Sequence, residues 1–264
     1  MGNILIGTSG FSYDDWLGPF YPEGLAPAAM LPFYAKNFKA VEINFTYYQM
    51  PGSQSISGLE RKTPAGFTFC LKAHKSMTHE ISKDPAEAGE IFHRFRQALF
   101  PLVDAGKLGC VLLQFPWGFK YSHENLEYLC FAREALGDLP AVVEFRNAGW
   151  VKEEVFSFLS GLNFGFCCVD EPRLRGLMPP VARVTSDLAY LRFHGRNAAR
   201  WWKHDEPWER YDYLYSSAEL QEWIPAILKL SAQAKTTFVF FNNHHAGQAV
   251  INARILAELL AAPE

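Results

Sequence analysis

Nine polar side chains fall at or near the ends of short apolar runs in this 264-residue chain: Glu42, Lys72, Gln114, Glu144, Arg146, Asp170, Arg192, His194 and Asn242. Along an extended strand, side chains two apart share a face. Glu42 with Asn44, Lys72 with His74, Glu144 with Arg146, and Arg192 with His194 therefore point together. The intervening Val41, Ile43, Val143, Phe145, Leu191 and Phe193 point the other way, toward an apolar layer. If the runs are parallel strands of one closed sheet, the nine converge at a single end of its interior.

Such a set suits acid/base chemistry on an anion. Arg146 and Arg192 can each grip a carboxylate or phosphate through two N–H groups, and Lys72 adds a point charge. Glu42 or Glu144 can act as general base and His194 as acid, with Asp170 as a further carboxylate. Asn44, Gln114 and Asn242 supply amide contacts. The competing structural reading is a balanced network of three carboxylates and three cations. A barrel core, however, normally packs branched apolar side chains, and a charged layer forfeits that packing. Glu42, Glu144, Asp170 and His194 are also acceptable ligands for manganese, magnesium or zinc. Three nearby cations would compete for those carboxylates, and no HxH or HExxH spacing is present. The expectation is a site with no cofactor, with a divalent metal as the alternative.

Two aromatic-rich loops should flank this site. Residues 10–22 contain Phe11, Tyr13, Trp16, Phe20 and Tyr21, enough to fold over a barrel mouth. Residues 196–215 contain Arg200-Trp201-Trp202-Lys203-His204, then Trp208, Tyr211, Tyr213 and Tyr215. Aromatic and basic residues interleaved this way can stack a base or sugar while neutralising phosphate, and Tyr13 and Trp201 are the candidates for substrate contact. For most of these rings the expectation is a lid packed on its own aromatics. Asn242-Asn243-His244-His245 opens the last helix, with turn-forming asparagines and histidines that face opposite ways. Lys75, His79 and Glu80 read as solvated loop residues.

The elements that position these residues are eight apolar runs, at 4–8, 41–44, 67–72, 110–114, 142–146, 166–170, 191–194 and 238–242. Strands buried on both faces read as continuous apolar runs. Helical segments alternate with them at 27–38, 53–62, 85–105, 122–136, 152–162, 216–235 and 248–262, which predicts a parallel sheet. Ser122 before Glu124, Ser216 with Glu219, and Pro85 are start signals. Pro172, Pro179 and Pro180 predict an irregular or 3₁₀ sixth crossover over 171–188, and Pro225 predicts a kink or late start within 216–235. The length suits one (β/α)8 TIM-type barrel over 1–264.

With 49% hydrophobic residues the chain can bury a large core, and its formal charge of −3 argues against electrostatically driven binding to nucleic acid or membrane surfaces. Five cysteines without a CxxC pair fit reduced thiols. No run of ~18 apolar residues or secretory signal is present. A cytoplasmic protein with no membrane partner is expected.

Several motifs carry a family likeness: Gly7-Thr8-Ser9-Gly10-Phe11-Ser12-Tyr13, Phe20-Tyr21-Pro22, Val41-Glu42-Ile43-Asn44, Leu113-Gln114-Phe115-Pro116, Val143-Glu144-Phe145-Arg146, Arg192-Phe193-His194-Gly195-Arg196 and Asn242-Asn243-His244. Their order and spacing resemble the YecE-like family, the domain of unknown function numbered seventy-two. Phe11 stands where a tryptophan is usual, Phe45 where a small residue is usual, and Asn147-Ala148-Gly149 replaces a stretch that often holds histidine. The resemblance implies a TIM-type barrel and supplies no reaction.

The leading functional expectation is a metal-independent enzyme acting on a small anionic substrate, a phosphorylated sugar or nucleotide-like compound. One alternative is a divalent-metal phosphoesterase or sugar isomerase. The other is a non-catalytic adaptor that binds nucleic acid or protein through residues 200–204.

Overall fold

The computed structural model describes residues 2–262, so the outermost positions of the expected 1–264 range lie outside it. Eight strands form its centre: β1 (Asn3–Thr8), β2 (Ala40–Ile43), β3 (Thr68–Lys72), β4 (Leu108–Gln114), β5 (Ala141–Glu144), β6 (Phe164–Asp170), β7 (Leu188–Phe193) and β8 (Thr236–Phe241). All pairings are parallel, in the order β1-β8-β7-β6-β5-β4-β3-β2. This is an α/β barrel of the TIM type. β4, β6 and β7 start earlier than their apolar runs because Leu108, Phe164 and Leu188 already pair with neighbours.

The seam between β1 and β2 is the weakest part of the ring, joined by a parallel bridge of Ser9 with Glu42. There the Gly10 N–H donates to the Glu42 carbonyl at 2.7 Å. Helix α1 (Pro27–Asn37) inserts Tyr34 into the remaining gap. Its hydroxyl accepts from the Thr8 N–H at 2.9 Å and donates to the Ala40 carbonyl at 3.2 Å, so backbone groups that lack a ladder partner are still satisfied. Gly7 permits the approach: a Cβ there would lie 2.2 Å from the Ala40 carbonyl oxygen. Glu42 thus sits on the strand that closes the barrel.

The outer layer continues with α2 (Phe45–Tyr48), α3 (Ser53–Arg61), α4 (Pro85–Asp104), α5 (His123–Leu136), α6 (Glu153–Gly161), α7 (Ser217–Gln221), α8 (Ile224–Gln233) and α9 (Gln248–Ala261). Helix α2 is a single turn that the apolar period does not reveal. The start signals act as read: Ser122 accepts from the Asn125 N–H, Ser216 and Glu219 form a reciprocal capping box, and Pro85 opens α4 behind an Asp84 cap. Pro225 lies in the first turn of α8, and the segment divides into two helices. Residues 171–187 form no helix. Tight turns at Pro172 and Pro179 return the Leu174 and Val181 N–H groups to those prolines' carbonyls at 2.8 Å. No described helix is long and apolar enough to cross a membrane.

Candidate functional site

Glu42, Glu144, Arg192, His194 and Asn242 meet inside the barrel as the alternation of strand side chains requires. Arg192 on β7 bridges two strands, with Nη2 2.6 Å from Glu42 Oε1 and Nη1 2.7 Å from Glu144 Oε2. The Tyr190 hydroxyl donates to Glu42 Oε2 at 2.7 Å. Beyond Glu144, Arg146 places Nε 2.6 Å from Oε1 as a close ion pair whose N–H is not aimed at the oxygen. Arg146 Nη1 then donates to Glu171 Oε2 at 3.1 Å. The result is a buried chain of alternating charge, Glu42–Arg192–Glu144–Arg146–Glu171. His194 Nε2 lies 3.3 Å from Glu144 Oε1, and its Nδ1 lies 3.2 Å from Asn242 Nδ2. A lone pair facing the carboxylate would be repelled, so the ring proton belongs on Nε2 and the Asn242 amide donates to Nδ1.

Two expectations change here. Asp170 does not join the interior set. On β6, Cys167 turns inward to Glu144, whereas Cys168 and Asp170 face the helices. There the Asp170 carboxylate accepts from the Tyr215 hydroxyl and Trp223 Nε1, both at 2.7 Å, and from Arg196 Nη2 at 2.8 Å. Its neighbour Glu171 takes the interior place instead. Arg192 also departs from an anion-gripping role, because both Nη atoms are committed to glutamates and its side chain is only 2% exposed. Since guanidinium groups occupy Glu42 and Glu144 and Asp170 faces away, the four ligands considered from sequence form no common donor set. No metal-ligating cluster of three His, Cys, Asp or Glu residues occurs among the described residues.

Above this layer, at the carboxyl ends of the strands, opens a cavity of about 290 Å³. Lys72 enters from β3, Gln114 from β4 and Arg146 from the end of β5. Helix α2 supplies Tyr47, and the connections after other strands supply His79, Trp117, Trp201, Trp202, Arg210 and Tyr211. Among the described residues, no carboxylate lines it. Lys72 Nζ sits 4.1 Å from the Tyr47 ring centroid. The Arg210 guanidinium lies 5.5 Å over Trp201, and Arg210 Nε donates to the Trp201 carbonyl at 3.0 Å. Among the described residues, neither Lys72 nor Arg210 is ion-paired with a carboxylate. Trp117 and Trp202, from different loops, meet edge to face at the rim with ring centroids 6.3 Å apart.

The match to known proteins spans the same architecture. A family model described as "Protein of unknown function DUF72" fits residues 5–264. The UPF0759 protein YunF of Bacillus subtilis is 34% identical over 97% of this chain and 94% of its own length. The chain belongs to the DUF72 family. A DUF72 protein from Thermotoga maritima has a crystal structure that superimposes with a TM-score of 0.91 at 43% identity, covering 98% of this chain and 100% of that one. One from Enterococcus faecalis gives 0.85 at 30% identity, covering 99% and 96%. An AP endonuclease of family 2 from Brucella melitensis shares the fold alone, at 9% identity and a TM-score of 0.53 over 94% of this chain and 96% of that one.

In this DUF72 chain the two layers have opposite electrostatics. Burial by itself would push the Glu144 carboxyl up, but Arg146, Arg192 and His194 outweigh it and hold the group well below the usual carboxylate range. The two glutamates likewise outweigh burial at Arg192 and raise it. His194 is lowered to about 3 by burial and then Arg146, so it is a neutral imidazole near pH 7 rather than a charged acid. His79, half-buried beside the cavity, is lowered to about 4 by burial and then Lys72. Two buried groups are shifted toward 7 from opposite sides. Burial and then Arg192 bring Lys72 down to about 7. Burial raises Glu171 to about 7 against the pull of Arg146.

The remaining candidates divide between the cavity and its surroundings. Gln114 and Trp201 line it. Tyr13 and Asn44 instead line a second cavity of about 290 Å³, which shares Tyr48 with the first. Tyr13 stacks on His244 with centroids 4.6 Å apart, and Trp16 Nε1 donates to the His244 carbonyl at 2.7 Å, so the 10–22 loop is fastened to the β8 end. Trp208 stacks on His245 of the β8 loop at 4.1 Å, whereas Trp201 with Tyr211 and Tyr213 with Tyr215 pair within the lid at 6.1 and 5.0 Å. The sequence reading missed Tyr47, Trp117, Arg210 and Glu171, named Tyr211 only among the lid rings of 196–215, and assigned His79 to solvent. Only Glu171 carried a signal: strand alternation past Asp170 places the next residue on the opposite face.

Proposed function

We propose that this DUF72 protein is an enzyme that binds a small phosphate- or carboxylate-bearing substrate in the cavity above the strand ends and acts on it by proton transfer. The observation that carries the reading is the cavity's lining: Lys72, Arg146 and Arg210 with no acidic side chain, in a chain whose formal charge is −3. Arg146 and Arg210 hold the anion as permanent charges, and the aromatic rings pack against the rest of the substrate. The proton-handling role moves from Glu42 and Glu144 to Lys72, because a group titrating near 7 can both take and return a proton. Glu144 then serves as counter-charge to Arg146, with His194 and Asn242 fixing its place. No cofactor enters this reading. All five cysteines are free and four are buried, which supports a reducing cytoplasmic setting.

The test is thermal denaturation against inorganic phosphate, phosphorylated sugars, nucleotides and divalent ions. One class of anion should raise the melting temperature by mass action, and Arg210→Ala or Lys72→Met should remove that rise in protein that still melts cooperatively without ligand. A rise that survives both substitutions, or none with any anion, refutes the reading. Single-stranded oligonucleotides belong in the same screen. Binding that falls steeply with salt and ignores Lys72→Met transfers the function to an adaptor role through residues 200–204.

A further inference from the structure

We infer that Lys72 is a nucleophile that condenses with the carbonyl group of an anionic aldehyde or ketone, forming an imine beside the Tyr47 ring. The inference rests on the anion-binding reading above and specifies its substrate class.

A lysine that only attracts anions works best fully charged and held by a carboxylate. Lys72 has the opposite surroundings. Its Nζ lies 4.1 Å from the Tyr47 ring centroid in a cavity without acidic lining, and among the described residues no carboxylate pairs with it. The charged groups that face it are Arg192 on β7, Arg146 and Glu144 at the end of β5, and Glu42 on β2. Both glutamates are already paired with guanidinium groups. On the side of the β3 loop, His79 packs against Tyr47 with ring centroids 4.9 Å apart and is itself neutral near pH 7. Burial and the arginines consequently discharge the amine, which is the condition for nucleophilic attack by lysine. Arg146 and Arg210 already supply the permanent charge that an anion requires, so the cavity gains nothing from a discharged third cation unless that amine reacts.

The chemistry balances without an added oxidant or reductant. The Nζ lone pair attacks the carbonyl carbon to give a carbinolamine. Loss of its oxygen as water leaves a C=N bond, and the imine nitrogen takes up a proton to become an iminium. That cation forms over the ring face that Nζ already occupies, where the electron-rich face of Tyr47 favours it. The phosphate or carboxylate of the same molecule is held by Arg146 and Arg210.

The probe is pyridoxal 5′-phosphate, which carries an aldehyde, a phosphate and an aromatic ring. The wild-type protein is treated briefly at about pH 7.5, reduced with borohydride and mapped by peptide mass spectrometry. An ordinary lysine with a pKa of ~10.4 is about one part in a thousand neutral at that pH, whereas an amine titrating near 7 is mostly neutral. On neutral fraction alone, Lys72 should therefore be labelled several hundredfold faster than the surface lysines, on the order of 10²–10³. Pyridoxine 5′-phosphate, which lacks the aldehyde, should slow the labelling by competition, and Arg210→Ala should slow it without changing reactivity elsewhere. Labelling of Lys72 no faster than that of surface lysines, in protein whose melting temperature pyridoxine 5′-phosphate still raises, overturns this inference and leaves the anion reading standing. If neither labelling nor stabilisation occurs, both fall. Fast labelling that neither pyridoxine 5′-phosphate nor Arg210→Ala affects overturns the anion clamp and with it this substrate class.

Discussion

Replacing Arg192 by methionine tests whether the interior charge chain holds the barrel together. The guanidinium contacts Glu42 at 2.6 Å and Glu144 at 2.7 Å, and both carboxylates are fully buried. After its removal Glu144 keeps Arg146 at 2.6 Å and the His194 ring at 3.3 Å. Glu42 keeps only the Tyr190 hydroxyl at 2.7 Å, which cannot balance its charge. One carboxylate is therefore stranded, beside the seam where β1 meets β2 through Glu42 itself. Breaking a buried pair by removing one partner costs about 3–5 kcal/mol. For a chain of this size, where a kcal/mol corresponds to about 2–4 °C, the melting temperature should fall by about 10 °C. The companion variant Glu42→Gln/Arg192→Met removes the stranded charge and should recover at least ~1 kcal/mol relative to Arg192→Met alone. Urea denaturation followed by circular dichroism measures both, provided the denaturant slope is unchanged. Arg192→Met within ~1 kcal/mol of wild type, or a double variant no more stable than the single, would show that the charge chain does not hold the barrel together.

Four further outcomes follow from other contacts. Glu171 is raised to about 7, so the folded state holds a proton that the unfolded chain releases near 4.5, and stability should decline as pH rises from about 4.5 to 7. Lys72 is lowered to about 7, so the unfolded chain binds more protons between 7 and 10.5 and stability should rise across that window. Melts across pH should show the first slope vanish in Glu171→Gln and the second in Lys72→Met. Asp170→Asn places an amide N–H2 among donors from Tyr215, Trp223 and Arg196, and should lower stability by about 2–4 kcal/mol while leaving anion-induced stabilisation intact. Loss of the anion response in that folded variant would return Asp170 to the site. Gly7→Ala drives a Cβ into the Ala40 carbonyl and should cost about 2 kcal/mol or more; an unchanged urea midpoint would show that the seam can open.

Strand number, order and most inward-facing residues were legible because each physical rule applied locally. Alternation from Val143, Phe145, Leu191 and Phe193 outward leaves only one face for Glu144, Arg146, Arg192 and His194. The rule failed at Asp170 because residues 164–169 of β6 carry no polar side chain to mark which face is inward, so a terminal carboxylate was assigned to the interior by its type. The cavity wall was less legible. Arg210 and Tyr211 belong to a 3₁₀ turn (Pro207–Tyr211) in a long loop, and Trp117 follows Pro116 in another loop. Loops have no side-chain period to indicate direction, so their contribution depends on where the barrel brings their ends. The aromatic richness of 196–215 was visible, but not that Trp201 would be buried at 2% while Trp202 stands 54% exposed at the rim.

The two layers make sense together. A cavity lined by arginine and lysine would repel its own cations unless opposite charge lay within reach, yet a carboxylate in the lining would repel an anionic substrate. The barrel separates these demands along its axis. Glu144 sits fully buried beneath Arg146 and pairs with it from below, Glu171 reaches Arg146 beside the irregular 171–187 crossover, and Arg192 prevents Glu144 and Glu42 from repelling one another. Arg146 consequently stays ionised at the cavity floor, its side chain 11% exposed toward the open side. Lys72 is left without such a partner. Burial and then Arg192 bring it to about 7, so the chain's arginines work with burial to discharge the amine while Glu144 and Glu42 oppose them.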